Sequence, residues 1–298
     1  MAAYQCEQAS ILAESSRETY LNGLTKSLGK GQDFVAFGKK DEYDWAVLLD
    51  GHGTNRFINL MREQDWEKIM SSADPWATLL EIVKLYRFQY GRQTGSTLLM
   101  MRAYKDRIET LSVGDSQLAI YKNGALVYKS TEHNTDSVAE VIRLKSKSVS
   151  INKTKMPIGK VVSASKMIAY YPDYITFSDG TTIAPSQALG QNDVTGYEPE
   201  VHTELFTSED EMRCILFSDG FSDMFLFDSD VEEDKLNDKR DILTLTAAQL
   251  VEKAEKRWRG KWNWHWDEKN PDVFLETQFP EDMMDDVGVV VWDNKKAV

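Results

Sequence analysis

Cysteine is almost missing from this sequence: Cys6 and Cys214 stand far apart in 298 residues, with no Cys-x-x-Cys pair. One disulfide would be a sparse framework for so long a chain, so a disulfide scaffold is excluded and a reducing compartment is expected. Proline is scarce too, 7 residues beside 17 glycines, in a composition that is 42% hydrophobic and 28% charged. Collagen-like, low-complexity and disordered chains are thereby excluded. No stretch approaches the roughly 18 consecutive apolar residues of a membrane span. Residues Met1–Glu7 show no basic segment leading into an apolar run, and Ala2 cannot replace the glycine of a myristoylation signal. The expectation is a cytoplasmic protein, or a nuclear one, monomeric and without a membrane partner. Positive charge is in deficit as well, 35 Lys and Arg against 48 Asp and Glu, which leaves −13. No nucleic-acid partner is therefore expected, and carboxylate clusters that need cations are the chemistry to look for.

Short apolar runs recur at Trp45–Leu49, Ile108–Val113, Leu118–Tyr121, Ala125–Tyr128, Cys214–Phe217 and Val287–Trp292, and they predict strands. Asn123-Gly124 separates two of them and predicts a type I′ hairpin, because both residues tolerate positive φ. Helical spacing appears over 56–70, 76–90, 135–146 and 244–258. Strands and helices come in groups rather than in alternation, which predicts an α+β chain of antiparallel sheets with helices on their outer faces. Residues 1–298 are read as a single domain. Two stretches read as exposed insertions: Val141–Pro172, with seven basic residues and no acid, and Phe227–Asp241, with seven acids and three bases.

Two of the strands deliver an aspartate to their ends. Trp45–Leu49 runs into Asp50-Gly51-His52-Gly53, and Cys214–Phe217 into Ser218-Asp219-Gly220. A glycine beside each lets backbone approach a ligand closely. Asp285-Asp286 opens the last strand and Asp33 precedes the first, whereas Asp179-Gly180 reads as a turn alone. Asp33, Asp50-Gly51-His52-Gly53, Gly95-Ser96-Thr97, Gly114-Asp115-Ser116, Ser218-Asp219-Gly220-Phe221-Ser222-Asp223 and Asp285-Asp286-Val287-Gly288-Val289, in this order, resemble the metal-dependent serine/threonine protein phosphatases of type 2C. Thr131-Glu132-His133-Asn134 and Pro185-Ser186-Gln187-Ala188-Leu189-Gly190 are similar to two further family runs.

The resemblance implies a four-layer α-β-β-α sandwich of two antiparallel sheets flanked by helices, with a two-metal site in a cleft at one edge. It implies a phosphomonoesterase acting on phosphoserine and phosphothreonine of proteins through a metal-bridging water. The residue chemistry agrees: four carboxylates within ~4 Å would repel by roughly 4 kcal/mol per pair at an effective dielectric of ~20, so they need protons or cations. Oxygen ligands select Mg²⁺ or Mn²⁺. By resemblance, Asp50 bridges two ions and the Gly51 carbonyl joins one of them. Asp219 and Asp285 complete the other shell, and Asp33 acts through water. His52 is the general acid, and Asp115, Asp219 and Asp223 form a weaker third site. Asp285 is preferred to Asp286 as the ligand, because the family's aspartate precedes an asparagine.

Departures are also visible. The arginine that the family commonly places upstream of its first aspartate is Leu28 here, and Gln32 carries no charge. Lys26 and Lys30 are the expected substitutes for gripping phosphate, though a lysine lacks the bidentate fork. Gln187 and Gln191, in place of Arg and Asp, are read as lying outside the first coordination shell. The Trp258, Trp262 and Trp266 stripe is read as packing, and His133, His202 and His265 as structural. In the family, the interval holding the basic stretch contains a flap beside the cleft, which would select acidic flanks in a phosphoprotein. The alternative is a phosphatase-like scaffold without turnover. A metal-dependent nuclease lacks the basic surface it would need.

Overall fold

The apolar run Trp45–Leu49 lies within strand Asp44–Gly53, which is buried on both faces until its last two residues. A run without alternation forms because both faces of this strand are covered. Ala46 and Leu48 point to a neighbouring sheet, whereas Val47 and Leu49 point to helices. The computed structural model describes residues 19–90, 94–155, 157–177, 180, 182–191, 195–226, 231–267 and 269–294. Cys6, Asp179 and residues 227–230 of the acidic stretch lie outside the described residues.

Two main antiparallel sheets face one another. The first has the order Tyr20–Lys26, Val287–Asp293, Met212–Phe217, Gln117–Lys122, Ala125–Lys129. The second runs Asp33–Lys39, Asp44–Gly53, Leu98–Ala103, Arg107–Val113, Glu200–Leu205, with Thr94–Ser96 and Leu189–Gly190 added at the end of the Asp50 strand. Leu48, Leu99, Ile120, Leu216, Val290 and Trp292 fill the space between them. The hairpin forms at Asn123-Gly124, whose φ values are 54° and 75°.

Helices α1 (Arg56–Arg62), α2 (Trp66–Ser71) and α3 (Pro75–Tyr90) cover the second sheet; the single helical span expected over 56–70 is broken between α1 and α2. Helix α4 (Val138–Ser146) follows the first sheet's edge hairpin. Helices α5 (Asp219–Ser222), α6 (Glu232–Thr244) and α7 (Ala247–Trp258) belong to the first sheet's outer layer. A capping box between Thr246 and Gln249 starts α7, and Leu250, Val251, Ala254 and Trp258 then face Ile215, Phe217, Val289 and Val291. The result is the four-layer α-β-β-α arrangement, and no described helix is long and apolar enough to cross a membrane.

Two small sheets were not expected. Ser150–Lys153, Asp173–Thr176 and Thr182–Ile183 form one. Ile158–Ser163, Lys166–Tyr170, Lys261–His265 and Phe274–Gln278 form the other, in which Lys166–Tyr170 pairs in parallel with Lys261–His265. The tryptophan stripe is thus part helix and part strand: Trp258 and Trp262 are buried, and Trp266 is exposed. Neither charged stretch is simply a solvated insertion. Arg143 turns inward, donating to Glu140 and to the carbonyls of Thr195 and Ser186. Asp238 is buried and pairs with Lys253 at 2.6 Å and Arg257 at 2.7 Å.

Candidate metal centre

Register brings the first two carboxylates together. Asp33 opens strand Asp33–Lys39 directly opposite Asp50, near the end of the next strand. The two main-chain edges are fixed further: Thr97 donates its N–H to the Asp50 carbonyl at 2.9 Å and accepts the Asp50 N–H on Oγ1 at 3.1 Å. Thr97 Oγ1 also bonds Ser116 Oγ at 2.8 Å. The Gly-Ser-Thr and Gly-Asp-Ser segments therefore serve to hold Asp50 and deliver Asp115 to the same place.

The other sheet supplies Asp219 and Asp285. Strands Met212–Phe217 and Val287–Asp293 pair antiparallel, so the end of one meets the start of the other. A Cβ on Gly220 would lie 2.0 Å from the Asp286 carbonyl, so only glycine permits this approach. Ser218 ties the two sheets, donating its hydroxyl to Asp33 at 2.7 Å while accepting the Gly288 N–H at 2.9 Å. Asp286 points elsewhere: it accepts N–H groups from Leu28, Gly29 and Gln32 and fastens that loop. Asp285 is left to face the cleft, whose volume is about 600 Å³.

Burial pushes the carboxyls of Asp33, Asp50 and Asp115 well above the usual carboxylate range, and the charges of Asp219 and further aspartates push in the same direction. After burial, the charge of Asp219 is the strongest push on Asp50. Asp285 is raised to about 6, by burial and Asp219 against the opposing pull of Lys30. Crowding by protein atoms, then Asp219, Asp285 and Glu132, push up Asp223, although that residue as a whole stays open to solvent. Mutual repulsion of this kind is relieved by protons or cations.

The residues present fit hard divalent cations in kind. Every charged donor is a carboxylate oxygen, and Gly51 sits where a Cβ would be 3.1 Å from the Gln32 carbonyl and 3.0 Å from Ile58. The set is not closed, however. Among the described residues no three His, Cys, Asp or Glu side chains are drawn together as a ready metal cage. A lysine ammonium stands among them: Lys30 Nζ lies 3.0 Å from both oxygens of Asp285. Lys26, expected beside it, is not in the cleft wall and pairs with Glu255 at 3.4 Å. Strand pairing at Lys26–Val287 commits its side chain to the α7 side. Leu28, at the arginine position, is buried in the core against the first sheet.

His52 stands opposite Gly95 in the strand pair and lines the cleft. Burial lowers its imidazole to about 4, and its Nε2 is buried without a partner. His133, by contrast, is structural, accepting the Gly114 N–H on Nδ1 at 3.1 Å. Gln187 joins Glu140 and the Glu198 N–H away from the cleft. Gln191, read as lying outside the first coordination shell, lines the cleft beside His52. Tyr174 and Glu132 were also missed. Tyr174 reaches the cleft from the small sheet, and Glu132 acts electrostatically on Asp115 and Asp223. Only the Thr-Glu-His-Asn run signalled Glu132, and nothing in the sequence signalled Tyr174.

The protein phosphatase 2C family model matches residues 31–257. Among solved structures, a sex-determining protein of C. elegans is similar with 16% identity and a TM-score of 0.55, over 96% of this chain and 67% of that one. The serine-threonine phosphatase 2C of Toxoplasma gondii is similar with 15% identity and a TM-score of 0.54, over 94% and 96%. The serine/threonine phosphatase Stp1 of Staphylococcus aureus is similar with 13% identity and a TM-score of 0.51, over 96% and 98%. At these identities the likenesses establish the fold. Among curated proteins, none matches the chain in sequence.

Proposed function

We propose, for a chain that belongs to the protein phosphatase 2C family, that it is a metal-dependent phosphomonoesterase removing phosphate from phosphoserine and phosphothreonine of proteins. The observation that carries this reading is the convergence of Asp33 and Asp50 from one sheet with Asp219 and Asp285 from the other, each of the first two raised by burial and then by its neighbours. Mn²⁺ or Mg²⁺ is the cation class that such an oxygen set selects. Asp50, paired with Asp33 across the strands and acted on by the Asp219 charge, would help to hold two ions, with the Gly51 carbonyl on one, Asp219 and Asp285 on the other, and Asp33 through water. Asp115, Asp219 and Asp223 would hold a weaker third. When bound, such ions lower the pKa of water and neutralise the phosphoryl oxygens of an in-line displacement.

His52 protonates the leaving serine or threonine oxygen in this reading. Its ring, held near 4 by burial, regains a proton when a doubly charged phosphate lies beside it, because an opposite charge favours the imidazolium. Lys30, already turned toward Asp285, is the cation available to phosphate. The buried, free Cys214 and the few cysteines accord with a reducing compartment such as the cytoplasm. A phosphatase-like scaffold is the second reading, favoured by the apolar Leu28 at the arginine position. Hydrolysis of a phosphoserine peptide with Mn²⁺ separates the two. Turnover that falls by about 10³-fold or more in Asp50→Asn supports the enzyme; metal binding without turnover in the unaltered protein supports the scaffold.

A further inference from the structure

Beneath the cleft wall, two polar side chains meet with nothing to bond to. Gln191 is 1% exposed, and both its amide nitrogen and its carbonyl oxygen are buried without a partner. Nε2 of His52 is buried and unpartnered as well. Buried polar groups are almost always bonded, so three orphaned atoms in one place call for a use. They meet at Gly95. A Cβ on that glycine would lie 2.7 Å from Gln191 Cγ and 2.7 Å from His52 Nε2. Both side chains thus share the space that a glycine leaves open, and no hydrogen bond joins them in the arrangement seen here. The backbone is bent to put it there. Gly190 and Gln191 have φ of +81° and +57°, left-handed values that a non-glycine residue adopts at a cost.

We infer that Gln191 is a positioning residue for His52: a rotation of its side chain lets the carbonyl accept the Nε2–H, which fixes the plane of the imidazole and leaves the other ring nitrogen to serve the substrate. As a water oxygen bonds to phosphorus and gives up its proton to solvent, the ester P–O bond breaks and its electron pair stays on the serine or threonine oxygen. The proton from that other nitrogen moves to the same oxygen, leaving a neutral ring whose remaining proton is held against Gln191. Because both amide atoms are shielded from solvent, Gln191 acts through His52 rather than by touching substrate. A neutral amide performs here the orienting task that a carboxylate performs elsewhere beside histidine. The inference rests on the phosphomonoesterase reading and gives a task to a residue that the sequence placed outside the first coordination shell.

The test compares Gln191→Met, which keeps the volume without an acceptor, and Gln191→Glu, which keeps an acceptor oxygen at the same reach, with the unaltered protein. Each is loaded with Mn²⁺ and assayed on a phosphoserine peptide and on an aryl phosphate. Gln191→Met is expected to lower kcat on the peptide by about 10-fold or more at unchanged KM, and kcat on the aryl phosphate by less than about 3-fold, because a good leaving group needs little protonation. Gln191→Glu is expected to restore the peptide kcat to within about 3-fold. Equal losses on both substrates, or an unchanged peptide kcat in Gln191→Met, overturn the inference. Gln191→Ala replaces the methionine variant if thermal melting shows the latter unfolded. If the unaltered protein hydrolyses neither substrate, the phosphomonoesterase reading fails, and the contact is tested separately by nitrogen NMR of the imidazoles. The His52 Nε2 resonance, assigned by its loss in His52→Gln, should shift in Gln191→Met; an unmoved resonance overturns the contact.

Discussion

Asp285 offers both carboxylate oxygens to Lys30, and this pairing bears on metal and substrate alike. An ammonium is a compact point charge on a flexible stem, so it can leave one carboxylate for a phosphate oxygen without the fixed fork of an arginine. Lys30→Ala is accordingly expected to raise KM for a phosphoserine peptide by about 3- to 10-fold, with kcat less affected. Steady-state kinetics with an unchanged KM would remove lysine from phosphate binding. At this scale the aspartates were legible in the sequence because each ends or opens an apolar strand, so a local pattern gives both the element and the chemistry. Lys26 and Lys30 were indistinguishable there. Which of them faces the cleft depends on the pairing of Lys26 with Val287 and on the loop that Asp286 fastens, and both are long-range facts. The place of Gln191 beside His52 was hidden for a similar reason, since the two side chains meet over Gly95, which comes from a third segment of the sequence.

Among the elements, the acidic stretch departs most from a reading by composition. Burial alone would raise the Asp238 carboxyl, but hydrogen bonds from Arg257 and Lys253 outweigh it and hold the group below the usual range. The carboxylate also caps the Leu226 N–H at 2.8 Å, so α6, α7 and the end of α5's loop share one anion. Asp238→Ala leaves two cations without their buried partner and is expected to cost about 3–5 kcal/mol of stability, measured by denaturant unfolding. A folded pKa below the unfolded one stabilises above the unfolded value, near 4, and that contribution fades as pH falls through the folded value. The difference between Asp238→Ala and the unaltered protein should therefore shrink on acidification below about pH 4. A loss under 1 kcal/mol at neutral pH would make the cluster a surface feature. The basic stretch divides likewise. Arg143 is structural, whereas the exposed Lys153 reaches Asp173 at 3.7 Å and the Tyr171 carbonyl at 3.5 Å, and Lys160 lies over the Tyr170 ring at 5.3 Å. Strand Ser150–Lys153 pairs with the strand that carries Tyr174 to the cleft. Neutralising Lys153, Lys155 and Lys160 together should abolish a preference for acid-flanked phosphopeptides, read as kcat/KM, and spare aryl phosphate turnover. An unchanged ranking of peptides would leave these lysines as solvated charge.

The whole molecule explains why the carboxylates are so far apart in sequence. Each main sheet contributes two of them, Asp33 and Asp50 from one, Asp219 and Asp285 from the other, and Ser218 spans the seam. The layering was legible because runs such as Trp45–Leu49 and Val287–Trp292 are apolar on both faces, which requires a cover on each side. The two small sheets were not, since their strands are short, half-exposed and joined across distant segments, as in the parallel pairing of Lys166–Tyr170 with Lys261–His265. With Asp33, Asp50 and Asp115 destabilised as anions by burial and then by neighbouring carboxylates, Asp219 among them in each case, the site has an electrostatic need that a divalent cation would meet. The most direct measurement treats the protein with chelator, then titrates Mn²⁺ while recording both the heat of binding and the hydrolysis of a phosphoserine peptide. Chelated protein should be inactive, binding should saturate, and activity should return along the same isotherm, with Asp219→Asn losing both together. Full hydrolysis in excess chelator would contradict a metal-dependent site.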